Sequence, residues 1–483
     1  LTRAKVQRLI DLYGAAISER FYIGFPYPAY TYDKMVLGLV DAHRYAGLPQ
    51  AFDLLNRTSN AAVPHLPPRA LDRGDPQSRW RASIGDNPSG GFTMDESYTL
   101  PENLFIAWQV GAGDRYRLLG QRFLLDEGYF DALAENRNVL ADRHAYSYFN
   151  ALNSAIMAFI ATGSRKHFLA ASNGFEMVTA TQSFATGGWG PDEGFYPPGS
   201  GFLYASLTSS HRGFETPCGS YAHCKLTRYL LRVTRDGRYG DSMERVLYNT
   251  VLGAKPLEAD GHAFYYSDYN MSGSRVYFPD RWPCCSGTLP QVAADYRILC
   301  YFHDSSALYV NLYLPSTLNW TMADGTQLRL TQTGSYPLEG GITMAMKLSR
   351  PSEFALRLRI PAWSQGANLR VNGAPVELAL TTGFATLQRT WKDGDRIELD
   401  MALPLRLEPI DAQHPDTVAL VRGPWVLFPV TQNAPRVTRT QLLAAQRTPG
   451  QAAWQVQAAS GPLRLVPFTE IGSEAYATYL QVS

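Results

Sequence analysis

Up to about residue 303, apolar residues recur at intervals of three and four, the spacing at which one face of an α-helix returns. This spacing predicts helices over roughly 3–18, 31–46, 50–61, 99–111, 114–124, 147–162, 165–178, 218–234, 239–253 and 288–302. Several of these helices are separated by only a few small or turn-forming residues: Tyr45-Ala-Gly-Leu-Pro-Gln-Ala51, Gly111-Ala-Gly-Asp-Arg-Tyr116, Ala161-Thr-Gly-Ser-Arg-Lys166 and Thr234-Arg-Asp-Gly-Arg-Tyr239. A chain that ends one helix and begins another within so short a stretch folds back as an antiparallel αα-hairpin. Long segments rich in Gly, Pro and aromatic residues, at about 62–97, 179–217 and 255–287, lie between the hairpins. The series predicts a helical toroid with its site at one mouth. A ring of six hairpins needs twelve helices and about ten are legible, a shortfall that fits either a missing N-terminal pair or misplaced helix boundaries.

After His303 and Asp304 the period changes to two. Leu308, Val310, Leu312 and Leu314 alternate with other residues, as do Phe354, Leu356, Leu358 and Ile360, and then Ile397, Leu399 and Met401. Asn372-Gly373 is a hairpin signal and Lys392-Asp-Gly-Asp395 another tight turn. The expected fold is therefore mainly α plus β, helices first and antiparallel β-sandwich after. The expected domains are 1–304 helical, 305–412 a β-sandwich, and 413–483 a second β-sandwich or C-terminal β region. The division near 412 rests on Asp411-Ala-Gln-His-Pro415, which breaks the strands.

At 483 residues the chain exceeds one ordinary core. Lys and Arg number 44 and Asp and Glu 43, with no long run of either sign, which argues against nucleic acid or an anionic membrane as partner. No apolar run approaches the roughly 20 residues of a membrane span. The 28 Tyr and 9 Trp suit a pocket that stacks on sugars, and they equally fill a large core. The chain begins at Leu1 inside an amphipathic pattern with little room for a helix cap, so the natural chain is expected to start earlier and no N-terminal signal is read here. Five cysteines are too few and too odd in number for a disulfide framework and point to free or metal-bound thiols.

Two of those thiols are adjacent, in Arg281-Trp-Pro-Cys-Cys-Ser-Gly-Thr288. A vicinal disulfide is strained, whereas two thiolates on one metal are chemically easier. Cys218, in Phe214-Glu-Thr-Pro-Cys-Gly-Ser220, opens a predicted helix, where a thiol loses its proton more readily. With Glu215 three residues earlier, the set Glu215, Cys218, Cys284 and Cys285 makes a four-coordinate Zn²⁺ site from two loop-to-helix junctions. Structural zinc, buried thiols and catalysis all remain open on these residues alone. Cys224 and Cys300 fall inside predicted helices and read as core.

Glu215-Thr-Pro-Cys218 ahead of Cys224-Lys-Leu-Thr-Arg-Tyr-Leu-Leu231, and Trp282-Pro-Cys-Cys-Ser-Gly-Thr288, resemble the zinc-binding segments of cysteine-dependent β-L-arabinofuranosidases, glycoside hydrolase family 127 and its relative family 146. Further matching stretches follow in the expected order: Tyr30-Thr-Tyr-Asp-Lys-Met-Val-Leu-Gly-Leu-Val-Asp-Ala42, Ala185-Thr-Gly-Gly188, Leu308-Tyr-Val-Asn-Leu-Tyr-Leu-Pro-Ser316, Leu358-Arg-Ile-Pro-Ala-Trp363 and Val421-Arg-Gly-Pro424. The resemblance implies an (α/α)6 barrel followed by β-sandwich domains, in a family that normally has further N-terminal sequence. It also implies a retaining glycosidase in which Cys284 is the nucleophile, held as a zinc thiolate by Glu215, Cys218 and Cys285. The acid/base is expected just after the Thr-Gly-Gly segment, at Glu193, with Asp192 the adjacent alternative. His144 matches a histidine lining the sugar pocket, and Tyr265 or Tyr266 an aromatic residue of that pocket.

Three departures surround this site. Pro217 spaces Glu215 one residue further from the cysteine than the family's Glu-Thr-Cys. Tyr146-Ser-Tyr-Phe149 replaces the usual continuation after His144, and Tyr196-Pro-Pro-Gly-Ser-Gly-Phe202 resembles an insertion. The resemblance implies a non-reducing-end β-L-arabinofuranose of plant-type glycans as substrate. Another pentose or branched pectic sugar, and a non-catalytic carbohydrate-binding protein with structural zinc, are the competing readings. A bacterial periplasmic or extracellular setting is typical of the family, and a homodimer is left open.

Overall fold

Helical periodicity and alternation both survive in the computed structural model, which describes residues 2–24, 27–73, 95–364 and 366–483. Residues 74–94 of the loop expected at 62–97 lie outside the described residues. The chain divides into two units: residues 1–140 with 147–177, and residues 141–146 with 178–483.

In the first unit the helices Pro28–Ala46 and Gln50–Ala62 pair, as do Leu100–Gln109 and Asp114–Arg122. Gly47 ends the first of these helices with φ 62°, a left-handed conformation that glycine adopts without a Cβ penalty. Val36, Leu39, Leu55 and Leu104 are buried together with Tyr32 and Tyr116. The Tyr32 hydroxyl lies 2.7 Å from Ser59 Oγ, which is 3.1 Å from the Tyr116 hydroxyl, so the polar tips of the buried tyrosines are satisfied.

The second unit carries the helices Phe202–Ser209, Thr216–Thr234, Gly237–Val246 and Cys285–Asp295, followed by the β-structure. Thr216–Thr234 packs against both Gly237–Val246 and Cys285–Asp295. Its end is a left-handed Arg235 at φ 57°, whose N–H bonds Leu231 O at 2.8 Å. The helix expected at 288–302 starts earlier, at Cys285, and gives way at Tyr296–Leu299 to a tighter turn and then to the strand Tyr301–His303. That expected at 239–253 becomes a wider π-turn over Leu247–Val251. Phe202–Ser209 arises within the expected loop 179–217, because eight residues with apolar side chains on several faces carry no readable period.

Two sheets follow. One has the strand order Ala374–Val376, Ala367–Val371, Arg396–Met401, Gly341–Leu348, Gln327–Gly334, Ser316–Thr321; the other runs Leu380–Thr381, Phe384–Trp391, Ser352–Arg359, Ala307–Val310, Tyr301–His303. Pairing is antiparallel except between Ala307–Val310 and Ser352–Arg359. Asn372 (φ 53°) and Gly373 (φ 81°) turn the hairpin that the sequence predicted. Lys392–Asp395 also turns tightly, but it carries the chain from one sheet to the other. A third sheet contains Leu405–Pro409, Thr417–Arg422, Trp425–Pro429, Gly461–Val466, Trp454–Ala458 and Gln446–Arg447. The alternating residues Leu308, Val310, Leu356, Leu358, Ile397 and Leu399 form one buried cluster with Val418, Leu427 and Leu465 of the third sheet. The structure is thus helical in its N-terminal part and β-sheet thereafter. Among the described residues no helix is long and apolar enough to cross a membrane.

Arg359 ties helix to sheet within this unit. Its side chain is fully buried, donates to Asn311 O at 2.6 Å, lies 2.9 Å from Glu244 Oε1 and pairs with Asp241. Burial lowers a guanidinium's proton affinity, but the carboxylates of Glu244 and Asp241 outweigh that and raise it.

Candidate active site

Two helix starts and one two-stranded ribbon build the site. Glu215 is the last residue before the helix Thr216–Thr234, and Pro217 occupies its first turn, where its missing N–H costs nothing. The extra residue that separates Glu215 from Cys218 is thereby absorbed into the helix start. Cys285 begins the second helix and Cys284 immediately precedes it. The ribbon pairs Phe214 with Ser267 and Glu215 with Tyr266, while Thr216 N–H donates to Tyr265 O at 2.8 Å. The Glu215 carboxylate and the two tyrosines are therefore fixed to one another by backbone.

The four expected metal ligands converge. Cys218 Sγ lies 3.7 Å from Cys284 Sγ and 3.5 Å from Cys285 Sγ, and Glu215 Oε1 lies 3.6 and 3.5 Å from the sulfurs of Cys284 and Cys285. All five cysteines are free; four are buried and Cys284 is exposed. Burial pushes the Cys218 and Cys285 thiols up, and it pushes Glu215 well above the carboxylate range, helped by the negative charge of Cys284 and Glu193. Hydrogen bonds from Cys218 and Cys285 instead carry Cys284 down to about 2, with Tyr265 and Glu215 adding to the effect. Without a cation, burial opposes more than one negative charge among these four groups.

A divalent metal would reverse that balance, and the donors fit one. Tetrahedral Zn²⁺ with bonds of about 2.3 Å to sulfur sets its ligand atoms about 3.8 Å apart, close to the separations here. The second carboxylate oxygen, Glu215 Oε2, is buried without a hydrogen-bond partner, as an atom reserved for a metal would be.

Glu193 stands beside this cluster. One atom each of His144, Glu193 and Glu215 lies within 4.8 Å of the other two. His144 Nε2 is 3.0 Å from Glu193 Oε2, and the Tyr266 hydroxyl donates to Glu193 Oε1. Burial alone would raise the Glu193 carboxyl, but these two hydrogen bonds and the His144 charge outweigh it and hold it below the usual range. Tyr265 takes the other half of the site: its hydroxyl is 3.4 Å from Cys284 Sγ. Both tyrosines therefore have separate partners, one at the thiol and one at the carboxylate. Asp192 does not share this position. It accepts from Ser210 Oγ at 2.6 Å, and its N–H donates to Arg212 O at 2.8 Å.

The turn that presents Glu193 is strained, with Asp192 at φ 52° and Glu193 at φ 59° in consecutive left-handed conformations, each costing on the order of 1–3 kcal/mol. The His144–Gly194 bridge, with Phe195 N–H donating to Arg143 O at 2.9 Å, holds it. The Thr-Gly-Gly segment before it is explained by packing: a Cβ on Gly188 would fall 2.3 Å from the Tyr269 hydroxyl and 2.9 Å from Phe214 Cγ. Trp189 packs on Phe214, with ring centres 5.3 Å apart, and donates Nε1–H to the buried His223 at 3.2 Å.

Three further neighbours were not singled out in the sequence. Thr288 Oγ1 is 3.1 Å from Cys218 Sγ, the Phe278 ring lies 4.6 Å from that of Tyr265, and the Arg212 guanidinium sits over the Tyr266 ring. Thr288 follows Cys285 by one helical turn and was accessible in principle from that spacing; Phe278 and Arg212 arrive by loop geometry alone.

The same fold and sequence features recur in known proteins. The family model described as beta-L-arabinofuranosidase, GH127 catalytic domain, matches residues 16–297, and that of the GH127 middle domain matches 307–403. A non-reducing end beta-L-arabinofuranosidase of Bifidobacterium longum is 25% identical over 252 residues, which span 47% of this chain and 37% of that protein. The crystal structure of a GH127 beta-L-arabinofuranosidase from Geobacillus stearothermophilus T6 superposes with a TM-score of 0.72 at 20% identity, covering 96% of this chain and 81% of that one. A second GH127 beta-arabinofuranosidase structure gives 0.72 at 19%, covering 94% and 76%.

Proposed function

Because the chain belongs to the GH127 β-L-arabinofuranosidase family, we propose that it is a retaining exo-glycosidase that removes a non-reducing-end β-L-arabinofuranose by way of a cysteine nucleophile. The observation that carries this reading is Cys284, the exposed thiol among five, grouped with two further thiols and with Glu215, the carboxylate that is also grouped with Glu193 and His144. Cys284 Sγ attacks the anomeric carbon while the bond to the leaving oxygen breaks, and Glu193 gives that oxygen its proton. Water then attacks the same carbon, the carbon–sulfur bond breaks, and Glu193 takes the proton from the water. Two inversions leave the configuration unchanged.

Tyr265 donates to the thiolate and orients it, and Tyr266 with His144 fixes the Glu193 carboxyl. Sugar binding expels water from that carboxyl and raises its proton affinity, which favours the protonated form needed in the first step. A Zn²⁺ held by Glu215, Cys218, Cys284 and Cys285 would supply the positive charge that keeps all three sulfurs deprotonated near neutral pH.

The test is covalent labelling with an arabinofuranose-configured electrophile, such as a bromoacetamide sugar, followed by peptide mass spectrometry. Label on Cys284, in parallel with loss of hydrolysis of an aryl β-L-arabinofuranoside, is expected. Inactivation with the label elsewhere would defeat the assignment of the nucleophile.

A further inference from the structure

Trp282 lies two residues before Cys284, so the two Cα atoms are within about 7 Å of each other. It is 65% exposed, an unusual state for the largest apolar side chain so close to a buried cluster. It also holds φ 54°, a left-handed conformation that is rare for a bulky residue and harder still before a proline, here Pro283.

Three features keep Trp282 in this exposed state. Its N–H donates to Gly261 O at 2.9 Å, and the neighbouring residues His262 and Arg281 form a bridge between the same two segments. The indole lies across Gly261, where a Cβ would come within 2.5 Å of its ring atoms. One face of the ring therefore rests on backbone and the other remains open. Strain, exposure and a fixed seat coincide on the residue leading into Cys284.

We infer that Trp282 is the platform for the leaving group: its open face stacks on the C–H face of the sugar attached through the scissile oxygen, so the natural substrate carries a sugar ring on its leaving side. Stacking of apolar sugar C–H groups on an indole needs a flat, fixed aromatic face, which this residue supplies. The inference rests on the glycosidase reading above and deepens it. It makes Trp282 a specificity-determining residue for the aglycone and leaves the arabinofuranosyl side to the groups around Glu193.

The experiment compares Trp282→Gly, Trp282→Leu and Trp282→Phe with wild type on two substrates: an arabinofuranosyl disaccharide and the methyl furanoside, whose leaving group has no ring. Glycine adopts φ 54° without strain, so the first variant removes the ring and spares the loop. The expected result is a KM for the disaccharide raised roughly tenfold in the Gly and Leu variants. The methyl furanoside should stay within about threefold, and Phe should preserve most of the disaccharide affinity. Equal losses on both substrates, or none on the disaccharide, would overturn the platform role while leaving the nucleophile assignment intact. If the Gly variant does not fold, the Leu and Phe variants decide the point between them. A wild-type protein that cleaves neither furanoside would overturn the glycosidase reading, and this inference with it.

Discussion

Replacing Glu193 by Gln removes one proton-transfer group and one negative charge while keeping almost the whole side-chain volume. The amide can still accept from Tyr266, and the bond with His144 loses its charge assistance, a cost on the order of 1 kcal/mol that is too small to unfold the protein. Loss of general acid–base catalysis is far larger, typically 10²- to 10⁴-fold, which corresponds to about 3–5 kcal/mol of barrier. The two effects separate by leaving group. Cleavage of an arabinofuranosyl disaccharide requires protonation of a poor leaving oxygen, so its kcat/KM should fall by roughly 10²–10⁴. A dinitrophenyl furanoside departs without a proton, so its first step should stay within about tenfold of wild type. Azide, which needs no base, should then restore turnover of the trapped glycosyl-enzyme and yield a glycosyl azide. Stopped-flow release of dinitrophenolate and steady-state disaccharide hydrolysis measure both quantities. Near-normal disaccharide turnover, or equal losses on both substrates, would refute the acid/base role.

Two further outcomes follow from the same geometry. After metal is stripped with a chelator, the hydrogen bonds from Cys218 and Cys285, with Tyr265 and Glu215 adding to them, hold Cys284 far below an ordinary thiol, and a depressed pKa keeps the charged form present through the neutral range. Its alkylation by iodoacetamide, followed by mass spectrometry, should therefore be flat between about pH 5 and pH 8, where an ordinary thiol slows about tenfold per unit; a tenfold-per-unit decline would contradict the thiolate. Arg359→Met leaves Glu244, which is fully buried, with Tyr336 but no cation, and should cost about 3–5 kcal/mol in denaturant unfolding. An unchanged unfolding midpoint would show that the buried pair does not stabilise this unit.

The sequence by itself determined a good deal here. Period 3.6 and period 2 are local signals, so the ten helices, the change to strands within a few residues of His303 and the Asn372-Gly373 hairpin were all legible. So was the pool of site chemistry, because Cys284, Cys285, Cys218 and Glu215 are reactive residue types at two helix starts. Pairing partners were not legible: the parallel step between Ala307–Val310 and Ser352–Arg359, and the sheet-crossing turn at Lys392–Asp395, depend on contacts far apart in the chain. What Asp192 and Glu193 each face also lay beyond the sequence, since neighbouring carboxyls are told apart only by their surroundings. A left-handed turn sends one to Ser210 and the other to His144 and Tyr266. Likewise Pro217 read as a spacing defect until the helix start absorbed it. Residue types and periods are written along the chain, while distances between segments, and the charge that one buried group imposes on another, exist only once the chain has folded.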